Sequence, residues 1–185
     1  MTPDTPRHPS VLHTSHGRLE YGISMGTNLG DRLLNMQTAR DRLQHDPDFT
    51  IVAQSPIYDT EPVDVAAAYQ SLTYLNAVLI IETEIAPYSL MQHLHEIEHE
   101  MGRERVSDRN APRPIDLDIL YAGDIAASLP DLTLPHPRWQ ERRFVVQPLA
   151  DVRPHRVLPD DPREVAAILS TLPLEPKVVL FEREW

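Results

Sequence analysis

Apolar and polar residues alternate over 19–24 (LEYGIS), which predicts a strand, and the glycine-marked MGTNLG after it predicts a turn into a helix from Asp31 to about His45. Residues 50–58 (TIVAQSPIY) and 74–82 (YLNAVLIIE) predict two more strands, joined by a loop containing Glu61-Pro62. Pro87 starts a second helix. Its Leu90, Met91, Leu94, Ile97 and Met101 have the three-and-four spacing of a face packed on a sheet, and Gly102 is its stop. A charged loop leads to Pro114, after which IDLDILY (115–121) alternates with period two and ends at the Ala122-Gly123-Asp124 turn. The order βαββαβ predicts an α+β fold with a ferredoxin-like core, a mostly antiparallel sheet with helices on one face. The rest predicts a carboxy-terminal elaboration: a helix over 138–149, a short helix from Pro162 to Ser170 and an edge strand at 177–181. A frayed tail is expected over 1–18 and one domain over 19–185.

Composition narrows the function classes. With 185 residues and no cysteine, the chain is long enough to bury a core unaided, and thiolate zinc sites, iron–sulfur clusters and a cysteine nucleophile are excluded. No apolar run is longer than that from Ala77 to Ile81, which is too short to span a bilayer. The first eighteen residues lack the basic start and apolar core of a signal peptide, so a cytoplasmic location is expected. A net charge of −11 repels a phosphate backbone and argues against nucleic acid as partner. Sixteen of the seventeen basic residues are arginines, and nine of them fall between Arg103 and Arg156. The planar guanidinium fork suits phosphate oxygens taken two at a time, so a small polyphosphate ligand fits that stretch.

Three motifs carry candidate chemistry. His95-Glu96-Ile97-Glu98-His99 fits a helical zinc motif, but the longer zinc-protease pattern wants histidine where the chain has Arg105, which cannot ligate a metal. Gly22, Gly26 and Gly30 form neither a dinucleotide fingerprint nor a P-loop and read as a tight strand-to-helix turn. Asp116 and Asp118 lie two apart on a strand, so both carboxylates leave one sheet face while Ile115, Leu117 and Ile119 enter the core. Such a pair, roughly 7 Å apart along the strand, can bracket one divalent ion or hold two. Arg103, Arg105, Arg109 and Arg113 precede it, and His136, Arg142 and Arg143 follow. Carboxylates for magnesium beside arginines for phosphate are the equipment of phosphoryl transfer from a nucleotide.

The run Arg109-Asn110-Ala111-Pro112-Arg113-Pro114-Ile115-Asp116-Leu117-Asp118-Ile119 resembles the signature of the 6-hydroxymethyl-7,8-dihydropterin pyrophosphokinases. GTNLGDR (26–32), SPIYDTEP (55–62), YLNAV (74–78) and LPHPRWQERRFVVQPLAD (134–151) resemble other pieces of that family, in its order. The resemblance implies transfer of pyrophosphate from ATP to the pterin's hydroxymethyl group, with AMP as second product, in folate biosynthesis. It implies two magnesium ions on Asp116 and Asp118, catalytic roles for that pair with Arg103 and Arg113, and an ATP and phosphate site made by Arg103, Arg113, His136, Arg142 and Glu98, the last a glutamate of the active-site helix. It also implies a pterin pocket made by Thr60, Tyr74, Asn76 and Phe144. Asn110, Ala111, Glu61 and Arg143 depart from the residues usual there. A monomer is expected, with ATP and the reduced pterin as partners and neither nucleic acid nor membrane. The alternative is a non-catalytic pterin or nucleotide binder of the same fold.

Overall fold

In the computed structural model, which describes residues 17–62, 66–103 and 111–185, the first half of the chain runs β1 (Leu19–Thr27), α1 (Arg32–His45), β2 (Thr50–Gln54), β3 (Ile57–Thr60), β4 (Tyr74–Thr83), α2 (Pro87–Glu100) and β5 (Asp116–Ala122). β1 is central, with β4 antiparallel on one side from Leu19↔Thr83 to Thr27↔Leu75 and β5 antiparallel on the other. The strand order is β10-β3-β4-β1-β5, with β2 also on β4 and β10 being Val178–Glu182. This is the predicted ferredoxin-like core. Residues 1–16 of the expected tail, and Arg105, Arg109 and Asn110, lie outside the described residues.

The strand predicted over 50–58 is two strands. Pro56 has no N–H to give to a ladder, and Ser55 bridges the break: its amide donates to Val78 O and its Oγ accepts from Val78 N, both at 2.9 Å. After β5 come a small hairpin, β6 (Ala127–Ser128) and β7 (Thr133–Leu134), and then α3 (Arg143–Val152). The helix predicted over 138–149 therefore begins later, because Arg142 is extended and residues 139–141 form only a 3₁₀ turn. The helix predicted from Pro162 also starts later. Asp161 accepts from Arg163 N at 2.9 Å and holds β9 (Asp161–Glu164) extended against β8 (Val157–Leu158), so α4 begins at Val165.

Period-two alternation gives the sheet two apolar faces. Ile23, Met25, Leu79, Ile81 and Leu117 meet Met36, Ala39 and Leu43 of α1 and Leu90, Leu94 and Ile97 of α2. On the opposite face Val78, Ile80, Leu120 and Tyr121 meet Trp139, Val146 and Leu149, then Val165 and Ile168 of α4. The core helices thus share one face as predicted, and the elaboration brings helices to the other. The alternation predicted through 121 holds to Leu120 and fails at Tyr121, because a bulge leaves Leu120 between the pairs Ile23↔Ile119 and Gly22↔Tyr121 and puts both residues on one face. The Tyr121 ring then lies over Gly22, where a Cβ would come within 2.4 Å of it.

Candidate active site

The second face is left open at one end of the ladder, and there its outward positions form the floor of a cleft. Gly26 stands between Asn76 on β4 and Asp116 on β5, and Ser24 stands beside Asp118. Thr60, Tyr74, Arg113, Arg142 and Phe144 complete the lining with Glu61 and Val145. A Cβ at Gly26 would sit 3.2 Å from Asn76 Oδ1, so the bare backbone there keeps the floor flat. Asn76 is 6% exposed and donates from Nδ2 to Thr60 Oγ1 at 2.6 Å. The Arg142 guanidinium lies 5.7 Å from the Phe144 ring centre.

The two carboxylates differ in their company. Asp116 accepts from Arg103 on Oδ1 and from Arg113 on Oδ2. Asp118 accepts no hydrogen bond among the described residues and opens to the cleft. Water reaches it, yet protein closes around it on the floor. That desolvation, and then the charge of Asp116, push its carboxyl up to about 6. Two hard oxygen donors on one face fit a magnesium ion. A cation on Asp116 would displace a guanidinium already there.

Backbone geometry delivers those guanidiniums. Gly102 ends α2 with φ +89°, Gly102 N donates to His99 O and Arg103 N to Glu98 O, both at 2.9 Å, a Schellman close that turns Arg103 toward β5. Gly102→Ala is expected to lose about 1–2 kcal/mol, read as a lower urea midpoint, and Gly102→Asn to lose less; equal midpoints for all three chains would refute the assignment. Arg113 is clamped by the turn after β1, since its amide donates to Asn28 Oδ1 at 2.9 Å. Gly30, at φ +70°, completes that turn before Asp31 caps α1 through Leu34 N.

Glu98 does not line the cleft. It is 2% exposed behind β5, where Oε1 accepts from Leu117 N at 2.7 Å and from Arg103. Burial pushes its carboxyl up to about 7, against the pull of Arg103 and the Leu117 amide and with the push of Asp116 and Asp118. A second cavity opens over the edge of β5, bordered by His136, His95, Thr133, Leu117, Ile119 and again Asp118. Burial, then Arg142, lower the His136 pKa. Burial raises that of Tyr74.

The structure therefore gathers Asp116, Asp118, Arg113, Arg142, Thr60, Tyr74, Asn76 and Phe144 at one cleft and puts His136 across Asp118 from them. Arg103 reaches it through Asp116. Sequence reasoning missed Ser24, although the period-two register from Gly26 points to it. It also missed Thr133, which only the packing of β7 near β5 reveals. His95 borders the second cavity and His99 is exposed; among the described residues no group of three or more His, Asp or Glu side chains is placed to hold a metal.

Residues 22–154 match the family model described as 7,8-dihydro-6-hydroxymethylpterin-pyrophosphokinase (HPPK). The chain is 37% identical over 153 residues to the 2-amino-4-hydroxy-6-hydroxymethyldihydropteridine pyrophosphokinase of Pseudomonas aeruginosa, covering 83% of this chain and 91% of that one. The Bacillus subtilis protein of the same description is 37% identical over 130 residues, covering 70% and 75%. Among solved structures, Plasmodium falciparum HPPK-DHPS with pteroate superposes with a TM-score of 0.66 at 14% identity, over 86% of this chain and 43% of that longer one, a likeness of fold.

Proposed function

Because the chain belongs to the 7,8-dihydro-6-hydroxymethylpterin-pyrophosphokinase family, we propose that its cleft passes the β,γ-pyrophosphoryl unit of ATP to the hydroxymethyl oxygen of 6-hydroxymethyl-7,8-dihydropterin, releasing AMP, in folate biosynthesis. One observation carries the assignment of sides: Asp118 borders both cavities, so ligands in the two meet at the carboxylate pair.

The flat pterin lies over Gly26 near Tyr74 and Phe144. Asn76 reads its edge, because an amide offers both a donor and an acceptor to a ring that carries both. An analogue lacking those groups would leave buried polar atoms unpaired, which is how the pocket discriminates. The nucleotide takes the second cavity, its phosphates running past His136 toward Arg103, Arg113 and Arg142. Arg142, withdrawn from water and facing the Asp pair, stabilises negative charge on the transferring group. Asp116 and Asp118 would hold magnesium, two ions in this reading, which when bound neutralises phosphate charge and favours ionisation of the attacking hydroxyl. Glu98 fixes Arg103 from behind the strand. The same reading takes the protein as a cytoplasmic monomer; no helix among the described residues is long and apolar enough to cross a membrane.

The test is incubation with ATP, magnesium and 6-hydroxymethyl-7,8-dihydropterin, with AMP resolved from ADP by chromatography. AMP is expected, and only when the pterin is present. ADP in its place would overturn the reaction type. Pterin binding by calorimetry with no nucleotide product would identify a non-catalytic relative.

A further inference from the structure

Residues 173–185 lie beyond the stretch that matches the family, yet they reach the acceptor side of the cleft. β10 adds to the outer edge of β3 with Val178↔Thr60, Val179↔Asp59 and Leu180↔Tyr58, and after a bulge Glu182↔Ile57. Thr60 is the residue whose hydroxyl receives the Asn76 amide. The segment also walls a neighbouring cavity with Pro173, Pro176, Lys177 and Val178, and that cavity shares Thr60, Arg142 and Phe144 with the acceptor pocket.

Burial alone does not hold this strand in place. Val179, Leu180 and Phe181 remain 55%, 39% and 46% exposed, an apolar edge of the kind folded proteins usually blunt. What holds it, besides the ladder, is an anchor at Trp185. The indole Nε1–H donates to Ser55 O at 2.8 Å, and the main-chain oxygen of Trp185 accepts from Gln54 Nε2 at 2.8 Å and from Arg40. The Arg40 guanidinium also stacks 5.3 Å from the Trp185 ring centre, and the ring packs on the core of α1 and α2. Ser55 is the break between β2 and β3. The anchor therefore grips the strand where its own ladder is interrupted, and β10 grips it from there to Thr60.

We propose that β10 and Trp185 form a strap that positions β3, and with it Thr60 and Asn76, so that Trp185 is a positioning residue for the pterin and not for the nucleotide. The proposal rests on the reading above that Thr60 and Asn76 hold the acceptor. Asn76 is central on the sheet, whereas Thr60 ends a four-residue strand whose outer partner is the strap. Loosening the strap frees the Thr60 hydroxyl to drift and leaves the Asn76 amide without its orienting acceptor. The second cavity, across β1 and β5, shares no residue with the strap.

Trp185→Ala in the full chain is expected to raise the KM for the pterin at least fivefold while the KM for ATP stays within twofold. Pterin affinity by calorimetry, with a non-hydrolysable ATP analogue present, should weaken by the same factor. Trp185→Phe keeps a ring over Arg40 and is expected to recover most of the loss. Arg153→Ala removes the Glu20 ion pair at the far end of the sheet. That control should lower the melting temperature without moving the pterin KM. A Trp185→Ala protein that melts lower with an unchanged pterin KM, or one whose two KM values rise together, would overturn the strap. If the wild-type chain binds pterin but makes no AMP, the catalytic reading fails and the calorimetric comparison still decides the strap. A wild-type chain that binds no pterin overturns both.

Discussion

Asp118→Ala is expected to reduce AMP formation by about 10³-fold or more, with the fold left standing. The carboxylate opens to the cleft and accepts no hydrogen bond among the described residues, while Leu117 and Ile119 on either side carry the packing against α2. Its ionised form is also disfavoured where it stands, since desolvation and Asp116 push its carboxyl up to about 6. Replacing it removes a repulsion, so the melting temperature should hold or rise. Stability is here given up for function. Asp116→Ala separates the two effects. It too should lose turnover, but it strips Arg103 and Arg113 of the carboxylate they share and should melt lower. Turnover assays and thermal melts on both variants check this, and full activity in either would refute the metal assignment.

The second large effect belongs to Glu98, a residue outside the cleft. Glu98→Ala leaves the Leu117 amide without its acceptor and Arg103 with only Asp116, inside a core that cannot supply water. A loss of about 3 kcal/mol is expected, or a melting temperature about 10 °C lower, together with a fall in kcat/KM as Arg103 loosens. Glu98→Gln keeps an oxygen for both donors and separates charge from geometry. The folded carboxyl titrates near 7 against 4.5 for the free group, so the folded chain holds the proton more tightly than the unfolded one. The contribution of Glu98 to stability is therefore complete below about pH 4.5 and is lost as the pH rises through 7. Glutamine suffers no such loss, so the melting temperature of Glu98→Gln minus that of wild type should grow between those values and then level off. A difference independent of pH would mean that Glu98 is ionised throughout.

Local pattern carried much of this architecture. The alternation of IDLDI placed Leu117 and Ile119 inward and Asp116 and Asp118 on the opposite face, and the three-and-four spacing of Leu90, Leu94 and Ile97 placed α2 on the sheet. What was not legible depends on partners distant in sequence. Ser55 bridges the break at Pro56 only because Val78 lies across from it. Arg163 keeps Asp161–Glu164 extended where Pro162 reads as a helix start. Glu98 reads as a site residue in one dimension, and only three dimensions put β5 between it and the cleft. Thr133 and His136 meet Asp118 through the packing of a hairpin too short to carry a periodic signal. Asn76 and Thr60 sit at separately recognisable places, but their hydrogen bond is a property of register, which neither segment encodes alone.

The extra residue at Leu120 bears on how this family's sequences can drift. Up to Ile119 the strand is read in one frame, which points its carboxylates at the ligands and its leucine at α2. The frame changes after Leu120, so that Leu120 and Tyr121 both lie beneath α3. Exchanging one side chain for another there alters only size. Removing Leu120 would restore plain alternation: Tyr121 would follow Ile119 and still stand opposite Gly22, and the layer beneath α3 would lose one apolar side chain. Lineages descended from this chain can therefore change residue 120, or lose it, at a cost confined to the packing beneath α3, whereas losing a residue between Asp116 and Ile119 would turn a carboxylate away from the cleft.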